Sequence, residues 1–177
     1  MRRTVLILIL AATAGLAGTA AVTAPALAAP TSAALPSAPS APAGGSSSTA
    51  ALTLAQASRL VRDRGYTPLT TGGYEPTHDL SVIVGRLSTS VDGHPQQAFF
   101  FHRGRFVGTD TTASANVRWV WSTGDVVALQ YDLYRPDDPM CCPSAGASTV
   151  RFRWDGSAVV PLDPIPTNSW SAPKSRR

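Results

Sequence analysis

At Gly65 the spacing of apolar residues changes from helical to strand-like, and that change restricts the chain to one leading helix followed by sheet. Before it, Leu54, Ala57, Leu60 and Val61 form a stripe, while Arg59, Arg62 and Asp63 face water. Thr53 and Gln56 stand at capping-box spacing, so the helix is expected to begin after Thr53 and to run to about Arg64. Gly65 then supplies the left-handed stop, with Pro68 just beyond.

Beyond Gly65 the period is two. Leu80 to Leu87 is a strand candidate, and Gln97 to His102 and Arg105 to Thr109 flank Arg103-Gly104 as a tight hairpin. Val117, Trp119 and Trp121 alternate with Arg118 and Val120, and Ser122-Thr123-Gly124-Asp125 turns the chain into Val126 to Tyr134. Val150, Phe152 and Trp154 alternate with Thr149, Arg151 and Arg153; Asp155-Gly156 then reads as a type I′ turn into Ala158 to Leu162. Short connections favour antiparallel neighbours. The expected architecture is α+β, an N-terminal helix packed on a roughly six-stranded antiparallel meander-like sheet.

The first segment has a different character. Met1-Arg2-Arg3 is a short positive start, Val5 to Leu16 is apolar, and Ala26-Leu27-Ala28 offers the small residues a signal peptidase accepts, so residues 1–28 are expected to be a cleaved signal peptide. No membrane span is expected after cleavage, and both cysteines lie too far downstream for lipid attachment at the N-terminus. Residues 29–51 collapse to Ala, Pro, Ser, Thr and Gly with no charge, which suits a disordered spacer. Residues 52–166 form the expected single domain, and 167–177 read as a flexible tail ending in a solvated basic tetrapeptide.

Without Arg2 and Arg3 there are thirteen basic residues against eleven acidic ones, and no polybasic stripe, which argues against a nucleic-acid partner. His78, His94 and His102 fall in separate segments without zinc-pair spacing, so no metal or other cofactor is expected. No G-x-S-x-G, phosphate loop or H-E-x-x-H occurs, and catalysis has no sequence support. Alternation puts Arg118, Gln130, Asp132, Arg151 and Arg153 on the sheet face opposite the tryptophans, which is either a solvated polar face or a shallow anion or polysaccharide platform.

Chemically, Cys141 and Cys142 stand out, adjacent and between Pro139 and Pro143. Three readings are open: a vicinal disulfide locking a tight turn, two buried inert thiols, or pairing with another chain. Neighbouring Cα atoms lie ~3.8 Å apart, closer than in an ordinary disulfide, and so small a ring removes almost no entropy from the unfolded chain. The flanking prolines deny the helix start on which catalytic C-x-x-C pairs sit.

Several runs together are distinctive: Gly65-Tyr66-Thr67-Pro68, Gln96-Gln97-Ala98-Phe99-Phe100-Phe101-His102, Phe106-Val107-Gly108-Thr109, Asp138-Pro139-Met140-Cys141-Cys142-Pro143-Ser144 and Val150-Arg151-Phe152-Arg153-Trp154-Asp155-Gly156. Over about Leu52 to Pro166 the chain resembles the LppP/LprE lipoprotein family of actinobacterial cell envelopes, the cysteine-bearing run being the most specific element. The resemblance implies export and a secreted or envelope setting, and carries no activity to named residues. The expectation is therefore a non-catalytic, secreted or envelope-associated domain binding an unidentified ligand or protein partner, with Met140, Cys141, Cys142, Arg118, Gln130, Asp132, Arg151 and Arg153 as contact candidates. The alternatives are an extracytoplasmic thiol–disulfide enzyme and a protease-inhibitor-like loop.

Overall fold

The computed structural model describes residues 50–177, so the expected signal peptide and nearly all of the spacer lie outside the described residues. Thr53 closes the expected capping box: its side chain accepts from the Gln56 N–H while the Gln56 side chain accepts from the Thr53 N–H. Helix α1 (Leu54–Asp63) buries Ala57 and Val61, whereas Leu54, expected on the apolar stripe, remains exposed. Gly65, at φ +83°, takes the chain out of the helix.

Eight strands follow: β1 (Tyr66–Thr70), β2 (Ser81–Leu87), β3 (Gln96–His102), β4 (Arg105–Thr109), β5 (Val117–Ser122), β6 (Val126–Asp132), β7 (Ala147–Trp154) and β8 (Val159–Pro161). They form not one meander of about six strands but two antiparallel four-stranded sheets, in the orders β1-β2-β3-β4 and β5-β6-β7-β8. The reason lies in β2 and β3, whose apolar residues are continuous rather than alternating. Ile83, Phe99 and Phe101 face α1 with Ala57 and Val61, while Val82, Val84, Ala98 and Phe100 face the second sheet. A sheet apolar on both faces needs a cover on each. The helix covers one face, and Val117, Val127, Leu129, Tyr131, Val150 and Phe152 of the second sheet cover the other. The fold is thus mostly β, layered helix, sheet, sheet, with one core on each side of the first sheet.

Local chemistry shapes the connections. Arg103 and Gly104 both carry positive φ, +48° and +70°, as a two-residue type I′ turn requires. The β7–β8 connection is longer than the expected Asp155-Gly156 turn, because Trp154 pairs with Val159 and the Asp155 carboxylate collects the N–H groups of Ser157 and Ala158. A register shift between Trp119 and Trp121 also separates the tryptophans. Trp119 pairs with Leu129 and turns inward, whereas Trp121 pairs with Ala128 and lies on the same outer face as Arg118 and Arg151. The last residues are no solvated tail: Ser175, Arg176 and Arg177 are buried.

Candidate functional site

The candidate site grows from the β6–β7 connection. Pairing continues one residue past Asp132, with Leu133 donating to the Gly146 carbonyl and accepting from the Ala145 N–H. Pro136, Pro139 and Pro143 then deny both helix and ladder, so the loop must satisfy its backbone with side chains. Asp138 does most of this. Its carboxylate accepts from the Arg135 N–H (2.7 Å), the Ser144 N–H (2.8 Å) and the Ser144 hydroxyl (2.7 Å), which ties the two ends of the loop together. The same donors, led by the Ser144 hydroxyl, hold its carboxyl below the usual carboxylate range. Arg135 reaches the Ser144 hydroxyl from the other side (3.0 Å).

At the tip, the Cys142 N–H donates to the Pro139 carbonyl at 3.0 Å. Cys141 and Cys142 are both exposed, with their sulfurs at disulfide distance and their Cα atoms 3.8 Å apart. That geometry selects the vicinal pair over the two buried thiols. The tip thus presents the two cysteines and part of Met140 to solvent, with the Met140 carbonyl and the Cys142 N–H bonded from within.

Beside the loop lies a cleft of about 320 Å³ lined by Leu69, Thr70, Gln96, Asn116, Arg118 and Asp132. Arg118 donates Nε to Gln130 (2.9 Å) and Nη2 to Asp132 (2.5 Å), so three of the residues expected on the polar face form one constellation. Its exposure is uneven: the Arg118 side chain is 55% exposed, and that of Asp132 only 13%. Tyr134 joins cleft to loop, since its hydroxyl accepts from Asn116 Nδ2 (2.9 Å) and donates to the Met140 carbonyl (2.9 Å).

Arg151 and Arg153 share the outer face but stand apart from this constellation. Arg151 donates Nε and Nη2 to Asp163, both at 2.9 Å, and its side chain and N–H together pull the Asp163 carboxyl down to about 2. Asp155 is held low mainly by the N–H groups of Ala158 and Ser157, with a smaller contribution from Arg153. Arg151 therefore carries its own counter-ion, apart from the Arg118 constellation. Sequence reasoning missed Tyr134, Asn116 and Asp163, because nothing in their spacing reveals a partner twelve or more residues away. Among the described residues no group of three or more His, Cys, Asp or Glu side chains could hold a metal ion, and no helix is long and apolar enough to cross a membrane.

The cysteine loop, the cleft side chains from Gln96 to Asp132, and six of the eight strands, β2 to β7, fall within one stretch that matches a family model, residues 72–157, described as LppP/LprE lipoprotein. Residues 72–157 are an LppP/LprE lipoprotein domain. The match begins after Gly65-Tyr66-Thr67-Pro68 and is narrower than the span over which the sequence resembles the family. Membership of a lipoprotein family associates the LppP/LprE domain with the cell envelope. No curated protein and no solved structure gives a significant match to the chain.

Proposed function

We propose that this chain is a non-catalytic binding module of the cell envelope, and that the Met140–Cys141–Cys142 tip is its contact surface, with the Arg118, Gln130 and Asp132 cleft flanking it. One observation carries the reading: both cysteines of this sulfur-rich tip are exposed, yet Asp138 and Ser144 tie the ends of the supporting loop together. A contact surface that is already ordered loses little conformational entropy on binding. Chemistry would need convergent acids, bases or nucleophiles, and the cleft offers one arginine already paired with one aspartate.

The test is capture of cell-wall polymers and exported proteins on immobilised wild type, on Cys141→Ser/Cys142→Ser and on Arg118→Ala. A partner retained by wild type and lost from the double serine variant is expected; equal recovery on all three would refute the assignment of the tip. Because both sulfurs are exposed, a thiol–disulfide enzyme is the second reading. It requires turnover of a mixed-disulfide substrate with a dithiol reductant, and none is expected here.

A further inference from the structure

Residues 175–177 end a segment that behaves like a bound peptide rather than a tail. Most of residues 167–174 are exposed, yet Ser175, Arg176 and Arg177 are only 0%, 4% and 8% exposed. Their backbone enters as a strand. The Tyr134 N–H donates to the Ser175 carbonyl (2.8 Å), the Ser175 N–H donates back to Tyr134 (2.9 Å), and on the other side the Ala115 N–H donates to the Arg176 carbonyl (2.9 Å). Main-chain pairing of an added segment with side-chain pockets for specificity is how extended peptides are recognised on sheets.

The two pockets are built for guanidinium groups. A guanidinium has five N–H donors, and those of Arg176 meet six acceptors: the carbonyls of Pro166 (2.9 Å), Thr112 (2.9 Å) and, at the longest distance, Ala113 (3.5 Å), and the hydroxyls of Ser114 (2.7 Å), Thr111 (2.9 Å) and Thr112 (3.1 Å). Arg177 donates to the carbonyls of Asp138 (2.9 Å), Pro136 (3.0 Å) and Arg135, with its plane against the rings of Tyr134 and Trp170 at 5.1 and 4.6 Å. A lysine ammonium has only three donors, too few for the Arg176 pocket; at Arg177, whose Nε has no partner, what it lacks is the planar fork and the face that lies against the rings. Ownership is divided as well. Most of the pocket, Thr111 to Ala115 and Tyr134 to Asp138, lies inside the family-matched stretch, whereas Pro166, Trp170 and the segment that fills the groove lie outside it.

We infer that the groove between Thr111–Ala115 and Tyr134–Asp138 is a binding site for an extended peptide carrying two adjacent arginines, and that residues 175–177 occupy it in cis as an internal ligand. The inference does not rest on the contact role assigned to the sulfur-bearing tip: Arg177 holds carbonyls at the base of the same loop, but none of the contacts involves Cys141 or Cys142. Another chain's Arg-Arg segment, including that of a second copy, then competes with the chain's own.

The test uses a chain stopped after Lys174 and a fluorescent peptide of residues 172–177. Saturable binding to the shortened chain is expected, at least tenfold weaker to the full chain and at least tenfold weaker when both arginines of the peptide are lysine. A shortened chain that keeps its near-ultraviolet dichroism but binds no peptide overturns the inference, as does equal binding to both chains. Should the shortened chain fail to fold, a protease site placed between Ser171 and Ala172 of the full chain replaces it. After cutting, exchange of the nicked segment for labelled peptide supports the inference, and permanent retention or release without rebinding overturns it.

Discussion

Asp110 shows how one side chain can set the sign of a pH dependence. Its carboxylate accepts from the Tyr131 hydroxyl (2.6 Å) and the Ala98 N–H (3.1 Å), and the Thr111 N–H and Arg176 also favour its charge, but desolvation outweighs all four and pushes the group up to about 6. A carboxyl whose pKa is higher folded than unfolded, where it is about 3.9, stabilises the protein fully below the unfolded value and loses that contribution as pH rises through the folded one. Between about pH 4 and 6 this group should therefore cost on the order of 2 kcal/mol as it ionises. The expected outcome is a denaturation stability that falls over this window in wild type relative to Asp110→Asn, which shares every other titrating group; parallel profiles would show that the group is not buried. Asp138 illustrates the opposite case, its carboxyl lowered by donors at the loop ends. Asp138→Ala should speed amide exchange at Arg135 and Ser144 while leaving the thermal midpoint nearly unchanged, as hydrogen-exchange mass spectrometry can check. The rigid turn was legible in the prolines that flank the cysteines, whereas the bond from Asp138 to Ser144, six residues on, was not.

Elements fixed by nearby chemistry could be read from the chain, and those fixed by distant packing could not. The capping box of α1 and the Arg103-Gly104 hairpin are local, and both appear where their residues require. Strand β1 was hidden because Gly65 and Pro68 read as the end of a helix, although an edge strand tolerates a proline. The division into two sheets was missed for a related reason. Short connections suggested one meander, while the unbroken Ala98-Phe99-Phe100-Phe101 run, a sign of burial on both faces, was read only as a hairpin arm. The two sheets meet closely at Gly73, where an added Cβ would stand 2.8 Å from Val82 of β2 and 3.0 Å from the Trp119 indole of β5. Trp119 cannot easily yield, being half-buried with its Nε1–H donated to Ser122 at 2.7 Å. Gly73→Ala should therefore destabilise the fold by about 1–3 kcal/mol, the usual cost of overpacking. Thermal unfolding would show this as a lowered midpoint, and an unchanged midpoint would mean that the sheets are free to move apart there.

For the molecule as a whole, stability and the distinctive chemistry reside in different places. The two cores flank the first sheet and draw on α1, β2, β3, β5, β6 and β7, whereas the exposed sulfurs sit at the end of a loop whose bracing comes from Asp138, Ser144, Tyr134 and Arg177. A cross-link stabilises by restricting the unfolded chain, and restricts it less the shorter the ring it closes. The bond between Cys141 and Cys142 closes the shortest ring two residues can make, and neither residue belongs to a core. Reduction, or Cys141→Ser/Cys142→Ser, should accordingly change global stability by no more than about 0.5 kcal/mol, as for an ordinary surface substitution. Denaturant midpoints measured with and without a reductant, with the thiol state confirmed by alkylation and intact mass, provide the comparison. A loss of several kcal/mol would mean that the loop is part of the folding core. An unchanged midpoint would assign the sulfurs to the surface that the protein presents to its surroundings, leaving the helix and the two sheets as the support that holds them in place.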